Sequence, residues 1–173
     1  MTDRNPSTPS DISEPSPLTD EKPTIDVLHV EPDPRSTELF ATFAAHFADG
    51  VSVRTVRGTE AALAAVDDAD CVVTEQRLPD GSGVELVDRL RRDGEDLPVV
   101  FHTTHRGERV EARAFGAGAD AYFEKRPAPG QYERILDRVR TLVEERGAGR
   151  GEPAESLSAD DASSVSGPIR LEE

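Results

Sequence analysis

Short apolar segments and helical patterns alternate five times along the middle of this chain, and this alternation restricts the fold more than any other feature. The strand candidates are residues 25–30, 51–56, 71–74, 98–103 and 119–123. The segments between them carry the apolar spacing of helices. Parallel neighbouring strands need crossover connections, and the crossover helices must bury their apolar stripes against the sheet. The sequence therefore predicts an α/β fold with a doubly wound, five-stranded parallel sheet between two layers of helices.

The first and last helices of this pattern have the clearest signals. Asp33 followed by Pro34 is typical of an N-cap and a first-turn proline. The apolar stripe that follows comprises Leu39, Phe40, Phe43, Ala44 and Phe47. The last helix is expected from about Pro129 to Glu145, and its apolar residues recur three and four apart: Tyr132, Ile135, Leu136, Val139, Leu142 and Val143. Both helices should pack on the sheet.

Composition changes at both ends of the alternating region. Residues 1–23 are rich in Pro, Ser, Thr and Asp, and residues 147–173 are rich in Gly, Ser, Ala and acids. Segments of this kind bury too little apolar surface to offset the entropy of ordering. We therefore expect one domain over residues 24–146, with a disordered N-terminal tail and a disordered, acidic C-terminal tail.

The formal charge of −15, from 35 acidic and 20 basic residues, disfavours direct contact with nucleic acids or anionic membranes. Only Lys22 and Lys125 are lysines, and this acidic, arginine-using composition is typical of proteins from salt-accumulating archaea. The chain has neither a signal peptide nor a long apolar segment, so we expect a cytoplasmic protein. Cys71 lies in an apolar run and is interpreted as a buried residue without a chemical role.

Polar residues follow the predicted strands where those strands end. They are Glu31 and Asp33 after the first strand, on either side of Pro32, Glu75 after the third, Thr103 and Thr104 after the fourth, and Lys125 after the fifth. In open α/β sheets, ligands bind outside the carboxyl ends of the strands. This edge of the sheet is therefore the predicted site.

The four motifs at this edge resemble the receiver domain of response regulators, the CheY-like family. They are LHVEPDP at 28–34, CVVTEQRLPDGSG at 71–83, VVFHTT at 99–104 and DAYFEKRP at 120–127. Residues 125–139 are most similar to haloarchaeal members. The resemblance implies a flavodoxin-like sheet with strand order 2-1-3-4-5.

The resemblance also implies roles for individual residues. Glu75 stands at the position of the phosphoacceptor aspartate, and Thr103 and Lys125 stand where the family contacts phosphoryl oxygens. Glu31 and the backbone carbonyl of Arg77 correspond to ligands of Mg²⁺, which prefers oxygen donors.

Tyr122, three residues before the lysine, corresponds to the aromatic switch of the family. This switch reports phosphorylation on the face formed by the fourth helix, the fifth strand and the fifth helix.

Two departures from the family pattern affect this site. Glu75 is longer than aspartate by one methylene, and small errors of placement are costly for in-line phosphoryl transfer. Pro32 stands where the family has a second acid and supplies no carboxylate, so Mg²⁺ binding is possible but weakened. Asp33 is expected to be committed to capping the first helix.

Three hypotheses follow. The first is a stand-alone, degenerate receiver, not an enzyme, in which Glu75 pairs with Lys125 and the protein acts through contact with a histidine kinase, another regulator or a transcription factor. A homodimer through the fourth helix, fifth strand and fifth helix is a further expectation. The second is a phosphorylatable regulator. The third is an unrelated enzyme or nucleotide binder on the same fold, which lacks support because no phosphate-binding glycine motif or nucleophile elbow is present.

His102 and His105 lie three residues apart and close to Glu31 and Glu75 in the predicted site, so a histidine metal site is conceivable. Strand alternation places His102 on the opposite face from Thr103, so we interpret both as ordinary strand and loop residues. Lys125 is the only lysine of the predicted domain. Its position after the fifth strand favours the pocket over a solvated surface loop.

Overall fold

The computed structural model describes residues 24–151. The predicted N-terminal tail and the C-terminal tail beyond residue 151 lie outside the described residues. Numbered in order along the chain, the five strands of the sheet are β1 (Ile25–Val30), β2 (Val51–Val56), β3 (Cys71–Thr74), β4 (Val99–Thr103) and β5 (Ala121–Glu124). All neighbours are parallel, in the order β2-β1-β3-β4-β5. The predicted fold class and strand order are confirmed.

Within residues 24–151, five α-helices connect or follow these strands. They are α1 (Pro34–Phe47), α2 (Thr59–Ala65), α3 (Gly83–Arg92), α4 (Glu108–Ala117) and α5 (Gln131–Gly151). A 3-10 turn, Val66–Asp68, continues α2. A short antiparallel hairpin pairs Arg77–Leu78 with Gly81–Ser82 between β3 and α3.

Two apolar clusters, one on each face of the sheet, form the core. On one face, residues such as Val27 and Val73 pack with Phe40 of α1 and with Ile135 and Val139 of α5. The cluster on the opposite face joins the sheet to α2, α3 and α4, through buried residues that include Leu28, Val72, Phe101, Ala62, Leu90 and Ala114. Alternation of side chains along each strand separates the two clusters. Residues 24–151 therefore form a three-layer α/β/α domain.

The N-terminus of α1 is built as the sequence predicts. Asp33 is its N-cap and accepts a hydrogen bond from the Ser36 amide at 3.0 Å, and Pro34 occupies the first turn. Phe40 and Ala44 are buried one helical turn apart. Leu39 is 50% exposed, so its assignment to the buried stripe was wrong. A helix turns by about 100° per residue. Because Phe40 and Ala44 face the sheet, Leu39 lies about 100° around the helix from Phe40, on the side that faces solvent.

The last helix differs from the prediction at both ends. It begins at Gln131, directly after Gly130 with its φ of 87°, and continues to Gly151 instead of ending near Glu145. The apolar stripe determines which face of a helix packs, but it does not determine where an exposed end stops. Residues 147–151, assigned to the C-terminal tail from their composition, are thus helical.

Other core residues agree with their sequence-based interpretation. Cys71 is fully buried, and burial raises the pKa of its thiol. His29 packs under α1 against Phe40, with ring centroids 4.4 Å apart. No helix within residues 24–151 has the length and apolar content needed to cross a membrane.

Candidate functional site

The ends of β1, β3 and β5 hold Glu31, Glu75 and Lys125 at one edge of the sheet. The last backbone hydrogen bonds of the sheet fix each of these residues. The Glu31 amide donates to the Val56 carbonyl at 2.9 Å, the Glu75 amide to Val30 at 3.0 Å, and the Lys125 amide to Thr103 at 2.7 Å. The three charged side chains are therefore placed by strand pairing rather than by a flexible loop.

The Lys125 ammonium lies between the two carboxylates. Its Nζ is 2.7 Å from Glu31 Oε1, 3.1 Å from Glu75 Oε1 and 3.2 Å from Ser36 Oγ. These three partners use the three donor hydrogens of an ammonium. The Lys125 side chain is 16% exposed, and those of Glu31 and Glu75 are 2% and 5% exposed. The structure thus brings these three predicted site residues into one small cluster.

The Glu75 carboxylate accepts hydrogen bonds from several further groups. Oε2 accepts from the amides of Gln76 at 2.6 Å and Arg77 at 3.2 Å, and from the Thr103 hydroxyl. Oε1 accepts from the Thr104 amide at 3.3 Å in addition to pairing with Lys125. The side chain therefore folds back over the peptide groups that follow it, and both of its oxygens are occupied.

This environment stabilises the ionised form of Glu75. Burial alone would raise the pKa of its carboxyl group, but the Thr103 hydrogen bond and the charge of Lys125 outweigh burial and lower it. Burial would lower the pKa of Lys125, and the hydrogen bond and charge of Glu31 raise it. Burial raises the pKa of Glu31, which the contact with Lys125 offsets in part. The cluster is an ion triad in which one cation serves two acids.

A chain of hydrogen bonds connects Glu75 to Tyr122. The Thr103 hydroxyl donates to Glu75 and accepts from the His105 amide at 2.9 Å. The Tyr122 hydroxyl donates to the His105 carbonyl at 2.8 Å, and its ring stacks on Phe101 at a centroid distance of 5.5 Å. Tyr122 is partly buried in this position, and burial raises the pKa of its phenol.

The loop after Glu75 is fixed to two helices. The Gln76 side-chain carbonyl accepts from the Val84 amide at 3.0 Å, at the start of α3. The Asp80 carboxylate accepts from the amides of Thr59 at 2.7 Å and Glu60 at 3.1 Å, at the start of α2. Gln76 and Asp80 were not singled out from sequence. For Asp80, its position in the PDGSG turn segment at 79–83 was the available signal, since such side chains often cap helices.

The side chains present do not fit the Mg²⁺ site that the resemblance implies. Glu31 uses one oxygen for Lys125 and the other for the Asp33 amide, at 3.1 Å. The Pro32 side chain has no oxygen to offer a metal ion, and the Asp33 carboxylate caps α1. Within residues 24–151, no group of three or more His, Cys, Asp or Glu side chains is arranged to hold a metal ion.

His102 and His105, the two histidines near the site, have separate surroundings. His102 is buried on the α1 and α5 side of the sheet, where its Nε2 lies 3.2 Å from Gln131 Oε1, and burial lowers its pKa to about 4. His105 enters the site through its backbone, by the contacts with Thr103 and Tyr122 described above.

Comparison with known proteins gives consistent results. The family model of the response regulator receiver domain matches residues 27–140. The chain is similar to the transcriptional regulatory protein TcrA of Mycobacterium tuberculosis, at 34% identity over 118 residues, covering 67% of this chain and 45% of that protein. It is also similar to the response regulator MprA of Mycolicibacterium vanbaalenii, at 35% identity over 81 residues, covering 47% and 34%. The chain spans less than half the length of these curated relatives.

Two solved structures show the same fold. The receiver domain of a Francisella response regulator aligns with a TM-score of 0.64 at 19% identity, covering 71% of this chain and 99% of that chain. A two-component response regulator from Clostridium difficile aligns with a TM-score of 0.63 at 21% identity, covering 71% and 98%. At these identities the likeness concerns the fold alone.

Proposed function

Because this chain belongs to the response regulator receiver domain family, we propose that it is a two-component signalling protein in which Glu75 serves as a built-in anion instead of a phosphoacceptor. The observation that carries this proposal is the set of donors around the Glu75 carboxylate. Three backbone amides, the Thr103 hydroxyl and the Lys125 ammonium all point at it. The groups that would stabilise a phosphoryl group are thereby used by the side chain itself.

This arrangement disfavours phosphorylation of Glu75. A nucleophilic carboxylate needs an oxygen directed at the donor in line with the leaving group. Both Glu75 oxygens are instead held by hydrogen bonds on the protein side. The poor fit of the site to Mg²⁺ removes the cation that would neutralise the incoming phosphoryl charge.

The hydrogen-bond path from Glu75 to Tyr122 supports a constitutive conformation of the surface formed by α4, β5 and α5, called here the signalling surface. With Glu75 ionised, Thr103 and His105 hold the Tyr122 hydroxyl in its inward position. The surface of α4, β5 and α5 then keeps one shape without a phosphorylation cycle. The protein acts by contact with a partner on this surface, namely a histidine kinase, another regulator, a transcription factor or a second copy of the chain, and has no catalytic activity of its own.

We further propose that the chain is a haloarchaeal, cytoplasmic member of the family. The acidic charge of −15 and the use of arginine in place of lysine support this proposal. High salt would screen the self-repulsion of such a surface.

Phosphodonor labelling tests the proposed function. The full chain is incubated with acetyl phosphate and Mg²⁺, and its intact mass is measured. We expect no phosphoryl adduct on the wild type. A Pro32→Asp/Glu75→Asp variant, which restores two acids of the family pattern, provides the matched comparison. An adduct on the wild type that hydroxylamine removes and that Glu75→Gln abolishes would instead favour the phosphorylatable regulator.

A further inference from the structure

Every ammonium hydrogen and every carboxylate oxygen of the Glu31, Glu75 and Lys125 cluster has a partner within the protein. Each hydrogen of the Lys125 ammonium has an acceptor, in Glu31, Glu75 and Ser36. Each of the four carboxylate oxygens has at least one donor, since Glu31 Oε2 also accepts from the Asp33 amide. A metal ion entering this cluster would have to break several of these contacts before gaining any ligand.

The charge of the cluster is also nearly balanced. Two carboxylates and one ammonium leave a formal charge of −1 in a region where the acids are 2% and 5% exposed. A divalent cation beside Lys125 would meet a like charge at close range in a partly desolvated space. Entry of a dication would therefore require either displacement of Lys125 or acceptance of this repulsion.

Lys125 is not free to leave. Its backbone amide is bonded to the Thr103 carbonyl at 2.7 Å, and its side chain is 16% exposed. Moving the ammonium out would leave Glu31, which is 2% exposed, buried without a counter-charge. Removing one partner of a buried ion pair is strongly unfavourable.

We infer that the Lys125 ammonium takes the place of a divalent cation in this pocket, so that the pocket holds no Mg²⁺ and the signalling surface is independent of Mg²⁺. This inference rests on the proposed function and describes the regulation of the same site. It accounts for the combination of Glu31, Pro32 and Glu75: one acid of the family pattern is absent, and the other two are long enough to reach a shared lysine.

Thermal unfolding of the full chain in MgCl₂, at constant ionic strength set with KCl, tests the inference. We expect the wild-type midpoint to be unchanged by millimolar Mg²⁺. In Lys125→Met the two glutamates lose their internal cation, and Mg²⁺ should raise the midpoint by about 5 °C once it is in tenfold excess over its Kd. The Glu31→Gln/Lys125→Met variant retains one carboxylate and should not respond.

A second variant covers the case in which Lys125→Met does not fold. Lys125→Gln keeps a hydrogen-bond donor near both glutamates and removes the charge, and it should gain the same response to Mg²⁺. Saturable binding of Mg²⁺ to the wild type, seen by calorimetry or as a rise in midpoint, overturns the inference. A folded Lys125 variant that ignores Mg²⁺ overturns it as well.

The outcomes separate this inference from the proposed function. A wild-type protein that binds Mg²⁺ but gains no phosphoryl adduct contradicts the role of Lys125 and the poor fit to Mg²⁺, and leaves the built-in anion standing. A wild-type protein that is phosphorylated on Glu75 contradicts the built-in anion, whatever the effect of Mg²⁺ on its stability.

Discussion

Replacing Glu75 with glutamine removes the charge of the proposed built-in anion while nearly conserving its volume. The wild-type carboxylate accepts from three backbone amides and the Thr103 hydroxyl, and it pairs with Lys125 at 3.1 Å. A glutamine keeps one acceptor oxygen and replaces the other with an NH₂ group. In either orientation of the amide, this NH₂ group faces donors that one of the two Glu75 oxygens accepts from in the wild type. The variant therefore loses the charge and creates a conflict between donors.

The expected cost follows from these contacts. Removing one partner of a buried ion pair costs about 3–5 kcal/mol. The loss is smaller here because Lys125 keeps its ion pair with Glu31. Leaving a buried donor unsatisfied costs about 1–3 kcal/mol. We expect the free energy of unfolding to fall by about 3 kcal/mol.

Urea unfolding followed by circular dichroism, in molar KCl, measures this change. Glu133→Gln is the matched control because Glu133 is exposed on the first turn of α5 and the substitution changes the charge equally. The control should stay within about 0.5 kcal/mol of the wild type. If Glu75→Gln loses less than about 1 kcal/mol, the reasoning about the donors around Glu75 is refuted.

Three further predictions concern the core, the hydrogen-bond path and the charge. Burial lowers the pKa of His29 to about 3 and of His102 to about 4, so stability is lost as the pH falls below about 6.5, where the unfolded imidazoles take up protons. Between about pH 7.5 and about pH 5, each histidine should cost about 2 kcal/mol of unfolding free energy, and His102→Gln should remove its share of that slope in urea titrations; an unchanged slope would contradict this. Thr103→Val should release Tyr122, which a change in the near-ultraviolet circular dichroism spectrum would show, and should lower the free energy of unfolding by about 1–2 kcal/mol. Thr104→Val, at the exposed neighbouring position, should leave the spectrum intact. The free energy of unfolding should rise steeply from dilute buffer to molar KCl, and a flat response would argue against salt adaptation.

The architecture was predictable because it depends on the order and spacing of apolar residues. Strand and helix alternation determined the parallel sheet, and the sheet in turn determined which residues share an edge. Glu31, Glu75 and Lys125 each come directly after a strand, so their proximity follows from topology alone. Strand pairing converts three distant sequence positions into neighbours.

The detailed contacts of the site were not predictable in the same way. The donors from the Gln76, Arg77 and Thr104 amides are backbone groups, which every residue type carries. Their direction depends on loop conformation rather than on side-chain identity. The contribution of Ser36 to Lys125 depends on where α1 begins relative to the sheet.

Boundary errors have the same physical origin. Leu39 has the hydrophobicity of a core residue, but the turn of α1 places it in solvent. The extension of α5 to Gly151 crosses a glycine-containing segment of low helix propensity. The hydrophobicity and helix propensity of a residue indicate which environments suit it, but the packing of the helix decides whether the residue is buried or exposed.

An amide NMR titration with beryllofluoride and Mg²⁺, which together mimic a bound phosphoryl group and its metal, tests the central claim most directly. If the Glu75 carboxylate already occupies the donors of this pocket, the resonances of Gln76, Arg77 and Thr104 should not shift. Saturable shifts of these three amides, absent from the Glu75→Gln variant, would contradict the account.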